Sequence, residues 1–168
     1  LTSGTNNTAV GRSAMTGVVT GQYNSVLGYG AGGAITSGDY NVAIGGLALD
    51  ANTTGGGNVA VGTSALGANT TADGNTALGN DALASNTTGT YNTAVGLSSL
   101  LANTTGVSNT AVGHNALKAN TTGNYSVAVG ELALQANPTG QNVAIGQAAM
   151  IANTTGTGNV AIGTYDDN

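Results

Sequence analysis

Few side chains in this sequence could do chemistry, and their spacing limits what they could do. His114 is the only histidine, and Glu131 follows it by 17 residues. If equal places in a repeat stack, the two make an imidazole–carboxylate pair, which needs a placed nucleophile before it can drive covalent catalysis. No serine is evidently spaced to complete it, and an exposed pair of this kind is worth under about 1 kcal/mol. No catalytic residue is assigned, and the chain does not read as an enzyme.

Asp39 and Asp73 share one repeat position but lie two repeats apart, about 10 Å if each coil rises by one strand spacing, while Asp50 and Asp81 fall in other columns. Calcium takes six or more oxygens, and there is no cysteine for a softer metal. Neither a metal nor a cofactor site is expected.

Hydroxyls and amides are abundant. Ala-Asn-Thr-Thr-Gly spans 51–55, 102–106, 119–123 and 152–156, with near copies at 68–72, 85–89 and 136–140. Ice-binding solenoids show Thr-x-Thr on one flat face, whereas adjacent threonines in extended chain point to opposite sides. Only one hydroxyl column could face ice, which makes ice binding a third reading. Asn52, Asn69, Asn86, Asn103, Asn120 and Asn153 each head a glycosylation sequon, and Pro138 disables the one at Asn137. One glycan every ~4.8 Å would be crowded. A structural ladder through Asn52, Asn69, Asn86, Asn103, Asn120, Asn137 and Asn153, amide bonded to amide, uses the same residues better.

What must position these columns is a 17-residue period. Asn-Thr-Ala-Val-Gly or a close variant starts at 7, 24, 41, 58, 75, 92, 109, 126, 142 and 159, with one residue lost between Gly140 and Asn142. Counted from that Asn, the unit is N-T-A-V-G-x-x-A-L-x-A-N-T-T-G-x-x. Glycine at position 5 and usually at 15, with Thr or Val at 2, 13 and 14, leaves no room for a long helix. A short strand at the start of each unit can bury its apolar face only by stacking on copies of itself. The expected fold is all-β: a parallel β-solenoid of about ten 17-residue coils forming a single domain over 1–168. Residues 1–40 are atypical first repeats, with Val18 and Ile35 where later repeats carry Asn.

Position 4 is aliphatic in all ten copies, from Val10 to Ile162, and is expected to point inward against the Leu/Met column at position 9. Position 3, Ala except for Val26, then suggests close approach of another backbone, such as a neighbouring chain.

The variable positions mark the outer surface. Apolar residues among them, including Leu47, Leu97, Leu101, Val107, Leu132 and Ile151, read as contacts with partner chains, because an apolar surface with only 5% charged residues invites aggregation. Tyr23, Tyr40, Tyr91 and Tyr125 share position 17 and suit either a corner brace or contact with a glycan or receptor protein. The candidate interaction surface is thus Tyr23, Tyr40, Tyr91, Tyr125, Leu97, Leu101, Leu132 and Ile151. Net charge is −5 with Arg12 and Lys118 as the only cations, which disfavours nucleic acid and anionic membrane as partners. No apolar run reaches the ~18 residues of a membrane span, so no insertion by this segment is expected. The chain starts at Leu1 and reads as part of a longer product.

The repeated Asn-Val-Ala-Ile-Gly and Asn-Thr-Ala-Val-Gly motifs resemble the S-V-A-I-G motif of YadA-like head repeats in trimeric autotransporter adhesins. The longer stretch 109–130 looks similar to repeats that precede endosialidase-type intramolecular chaperone domains in phage tail fibres. This resemblance implies a left-handed β-roll, a homotrimer, and attachment at an extracellular site, on a cell surface or virion. The function expected is a non-enzymatic structural or adhesive fibre segment whose partner is itself and a host-surface glycan or protein. The alternative is a solenoid filament joined end to end.

Overall fold

The computed structural model describes residues 3–164; the last four residues of the tenth repeat lie outside them. Ten three-residue strands occupy positions 2 to 4 of successive repeats: β1 (Thr8–Val10), β2 (Ser25–Leu27), β3 (Val42–Ile44), β4 (Val59–Val61), β5 (Thr76–Leu78), β6 (Thr93–Val95), β7 (Thr110–Val112), β8 (Val127–Val129), β9 (Val143–Ile145) and β10 (Val160–Ile162). They form one sheet in chain order. Each pairs in parallel with the next at equal repeat positions, as in Thr76↔Thr93, Ala77↔Ala94 and Leu78↔Val95. The chain is a parallel β-solenoid with 17-residue coils, and no helix occurs among the described residues. Identical repeats favour this register, because a slip of one residue would turn every side chain to the opposite face.

The faces of the strand are opposite to the sequence expectation. Position 3 points inward, and Ala43, Ala60, Ala77, Ala94, Ala111 and Ala128 are fully buried. Position 4 points out: Ile44 is 40% and Leu78 47% exposed. Volume explains the reversal. The coil section is filled from the other walls by Ala and Leu at positions 8 and 9, such as Ala82 and Leu83, and by asparagines at 1 and 12, such as Asn75 and Asn86, and these four have no exposed surface. That leaves room at the strand for a methyl group but not for an isoleucine. The small residue at position 3 is therefore explained by the coil's own interior, and a neighbouring backbone is not needed. The β-branched residues at 2 and 4 still favour extended chain, since that preference comes from side-chain stiffness and does not depend on which way they face.

The corners use left-handed backbone. Residues at positions 7, 9 and 17 have positive φ, including Ser64 at 54°, Leu66 at 52° and Tyr91 at 59°. Such a conformation costs a non-glycine residue on the order of 1–3 kcal/mol. At position 9 burial of the leucine side chain, worth roughly 1.5–3 kcal/mol, offsets it. At position 5 glycine is required twice over: Gly45 has φ 131°, and a Cβ there would lie 2.6 Å from the carbonyl oxygen of Gly62 on the next coil.

The second coil obeys the same volume rule by different residues. It carries Val26 for Ala at position 3, Gly32 for Leu at 9 and Ile35 for Asn at 12. A Cβ on Gly32 would lie 2.9 Å from Ile35 Cδ1 and 3.2 Å from Val26 Cγ2, so the two larger side chains occupy the volume that leucine fills elsewhere. In the first coil Val18 is exposed and Val19 is buried, so Val19, not Val18, takes the interior place.

Candidate functional site

The ANTTG segment forms a corner whose polar groups are mostly spent inside the coil. Asn69 Nδ2 donates to Asn52 Oδ1 at 2.9 Å, Asn86 to Asn69 at 3.0 Å, and Asn103 to Asn86 and Asn120 to Asn103 at 2.8 Å each. The same amides donate to the carbonyl at position 15 of their own coil, as Asn86 does to Gly89 at 2.9 Å. Above Asn120 the run is interrupted. Asn137 Oδ1 accepts from Asn142 at 3.1 Å and from Asn153 at 3.4 Å, while Asn120 Oδ1 is the one buried side-chain polar atom among the described residues with no hydrogen-bond partner. The sequon asparagines from Asn52 to Asn120 are fully buried, so in the folded coil they are closed to glycosylation.

A second asparagine column, at position 1, escaped the sequence reading. Asn58 Oδ1 accepts from the backbone N–H of Asn75 at 2.9 Å and from its Nδ2 at 3.4 Å, and Asn75 Nδ2 also closes its own coil onto the Gly89 carbonyl at 2.9 Å. Its signal was the recurrence of Asn at position 1 in every repeat except at Ser126, the same signal that marked position 12.

At position 13 the threonine hydroxyls bond along the stack, Thr53 Oγ1 donating to the Thr70 carbonyl at 3.0 Å. Position 14 threonines such as Thr54, Thr88 and Thr105 are exposed as a single column.

Among the described residues the remaining polar side chains make short contacts at the surface. His114 Nδ1 lies 3.4 Å from Glu131 Oε1, both side chains are about half exposed, and the Asn115 amide lies 2.8 Å from His114 Nε2. Asp39 and Asp73 each accept a backbone N–H from the preceding coil, of Gln22 and Gly56, at 2.7 Å. Partial burial pushes the Asp50 carboxyl up, against the lowering effect of its own and the Ala51 backbone N–H. Among the described residues no group of three or more His, Cys, Asp or Glu could hold a metal ion, and no helix is long and apolar enough to cross a membrane.

Two surfaces remain. One is the outer face of the sheet, where position 4 places exposed Val10, Leu27, Ile44, Leu78, Val112 and Ile145 in line, with Leu97 exposed beside it at position 6. Leu132 and Ile151 are partly buried, and Leu101 borders a separate groove with Lys118 and Gln135. The other is position 17. Tyr23 and Tyr40 stack with ring centroids 5.0 Å apart and planes within 2° of parallel. Tyr91 lies against Gly74 of the preceding coil, and Tyr125 borders a recess of about 300 Å³. Arg12 stands 5.8 Å from the ring centroid of Tyr29. A scan of protein-family models and searches of curated proteins and solved structures found no match to this chain.

Proposed function

We propose that this chain is a non-enzymatic structural and adhesive fibre segment, a left-handed coil that assembles as a homotrimer and presents attachment surfaces on a bacterial cell or a phage tail fibre. The observation that carries the reading is the aliphatic column at position 4, which runs along the sheet on the solvent side. Contiguous exposed apolar surface of this kind marks an interaction site. Side chains in this column recur once per coil, about 4.8 Å apart. A second copy of the same chain offers a strip with the same repeat and so matches it over its whole length. The buried ladders fit a rod that carries surface, and among the described residues no three His, Cys, Asp or Glu side chains come together.

Light scattering after size exclusion tests the assembly. The expected mass is three chains, and Ile44→Asp with Leu78→Asp should reduce it to one while the β circular dichroism persists. A wild-type protein that stays monomeric at micromolar concentration would overturn the trimer.

A further inference from the structure

The lost residue of the eighth coil can be assigned to a position by its hydrogen bonds. Gln141 N donates to Thr157 Oγ1 at 3.2 Å, as the position-16 residue Gly56 donates to Asp73, and the N–H of Gly158 bonds the Gln141 carbonyl as the position-17 residue Tyr91 bonds that of Asp73. Gln141 is therefore position 16, and the missing residue is position 17, the tyrosine column. The next coil has Gly158 there. After Tyr125 the column thus lacks a side chain for two coils, roughly 10 Å of rod.

This gap is the recess of about 300 Å³ lined by Tyr125, Gln141, Val143, Gly158 and Val160, together with Asn142 and Asn159. Tyr125 is 59% exposed, valines from position 2 contribute apolar lining, and the exposed Gln141 contributes an amide with both donor and acceptor. The molecule also shows what one coil step of this column accommodates: Tyr40 stacks flat on Tyr23 at 5.0 Å. A flat ring placed one step beyond Tyr125 would stack in the same way. A ring with apolar faces and a hydroxylated rim suits such walls, since an aromatic side chain offers an apolar face beside a polar tip. No cation lines the recess and the chain carries −5, so an anionic ligand is disfavoured.

We propose that this recess is a subsite for one neutral pyranose of a surface glycan, stacked on Tyr125 and hydrogen-bonded by Gln141. It deepens the attachment reading by naming a ligand class, and rests on it.

Gly158→Tyr provides a way to fill the site without removing a wall. Gly158 has φ 73°, close to the 57° and 59° of Tyr125 and Tyr91, and a Cβ there meets nothing within 4 Å. Tyr91 lies back over the preceding coil, so a tyrosine at 158 would lie back into the gap.

Saturation-transfer NMR on the full chain, with the methyl glycosides of glucose, galactose, mannose and N-acetylglucosamine as probes, tests the proposal. At least one should bind, and Tyr125→Ala and Gly158→Tyr should each weaken it about tenfold or more, with Tyr91→Ala within about twofold of wild type. The saccharide assignment fails if no glycoside binds, if binding survives both variants, or if only N-acetylneuraminic acid or tyrosinamide binds. Mass measured on the same samples keeps the two proposals apart: binding by a monomer would leave the recess standing and remove the trimer, and a trimer without binding would do the reverse.

Discussion

Coil 2 (residues 24–40) exchanges three core residues at once, whereas coil 8 (residues 126–141) loses one residue and changes two others, to Ser126 and Pro138. In coil 2 the exchange conserves volume: Val26 and Ile35 fill what Gly32 leaves, and all three positions are buried. In coil 8 both asparagine columns are disturbed. Ser126 Oγ donates to the Gly140 carbonyl at 2.7 Å and accepts from Asn142 N at 3.3 Å, a longer link than the 2.9 Å between asparagines. Pro138 has no N–H to give the following coil, and Asn120 Oδ1 is left unpaired. Apolar volume can be redistributed among neighbours. A hydrogen-bond ladder cannot, because each amide needs its partner at one distance and angle.

Removing volume where nothing compensates should have the largest effect. Leu83→Ala, in a regular coil, should destabilise by about 2–5 kcal/mol in denaturant unfolding; a loss as small as that of an exposed site would mean that regular coils collapse around a cavity as readily as coil 2 was rebuilt. Next comes Gly32→Leu, expected to cost about 1–3 kcal/mol by overpacking. Combined with Val26→Ala and Ile35→Asn it should return to near wild-type stability, and a triple variant as unstable as the single one would show that the three residues are not one unit.

The ladder is tested by unequal losses. Asn86→Ala leaves partners on both neighbouring coils and should cost about 1–3 kcal/mol, whereas Asn120→Ala should cost less, because its Oδ1 accepts nothing to begin with. Equal losses would remove the asymmetry assigned to coil 8.

The smallest effect lies in regular coil 3. The folded state holds a proton on Asp50 through a pH range in which the unfolded chain has lost it, so stability should fall as pH rises through the carboxylate range and level off above the folded value. Asp50→Asn should flatten that slope in unfolding measured from acid to neutral pH.

Much of this architecture was legible because the repeats are nearly identical. Equal sequence at equal spacing leaves in-register parallel stacking as the way to bury one face of so short a strand. The position-12 asparagine column could be expected on the same ground, and the position-1 column could have been. The direction of the strand could not. Ranking Ile44 above Ala43 as the inward residue follows hydrophobicity, but the interior selects by size, and its width depends on how the other walls close. The site was less legible still: Tyr125 could be grouped with the other tyrosines from spacing, yet the residue lost after Gly140 could be assigned to their column only from hydrogen bonds.

Period, parallel stacking and columns are therefore written in the amino-acid order, because they follow from repetition and from the backbone's need for partners. Tertiary structure alone decided which columns are inside, which core exceptions compensate one another, and where a column falls open. Those outcomes depend on the volume enclosed when the coil closes, a property of all its walls together and of no single residue.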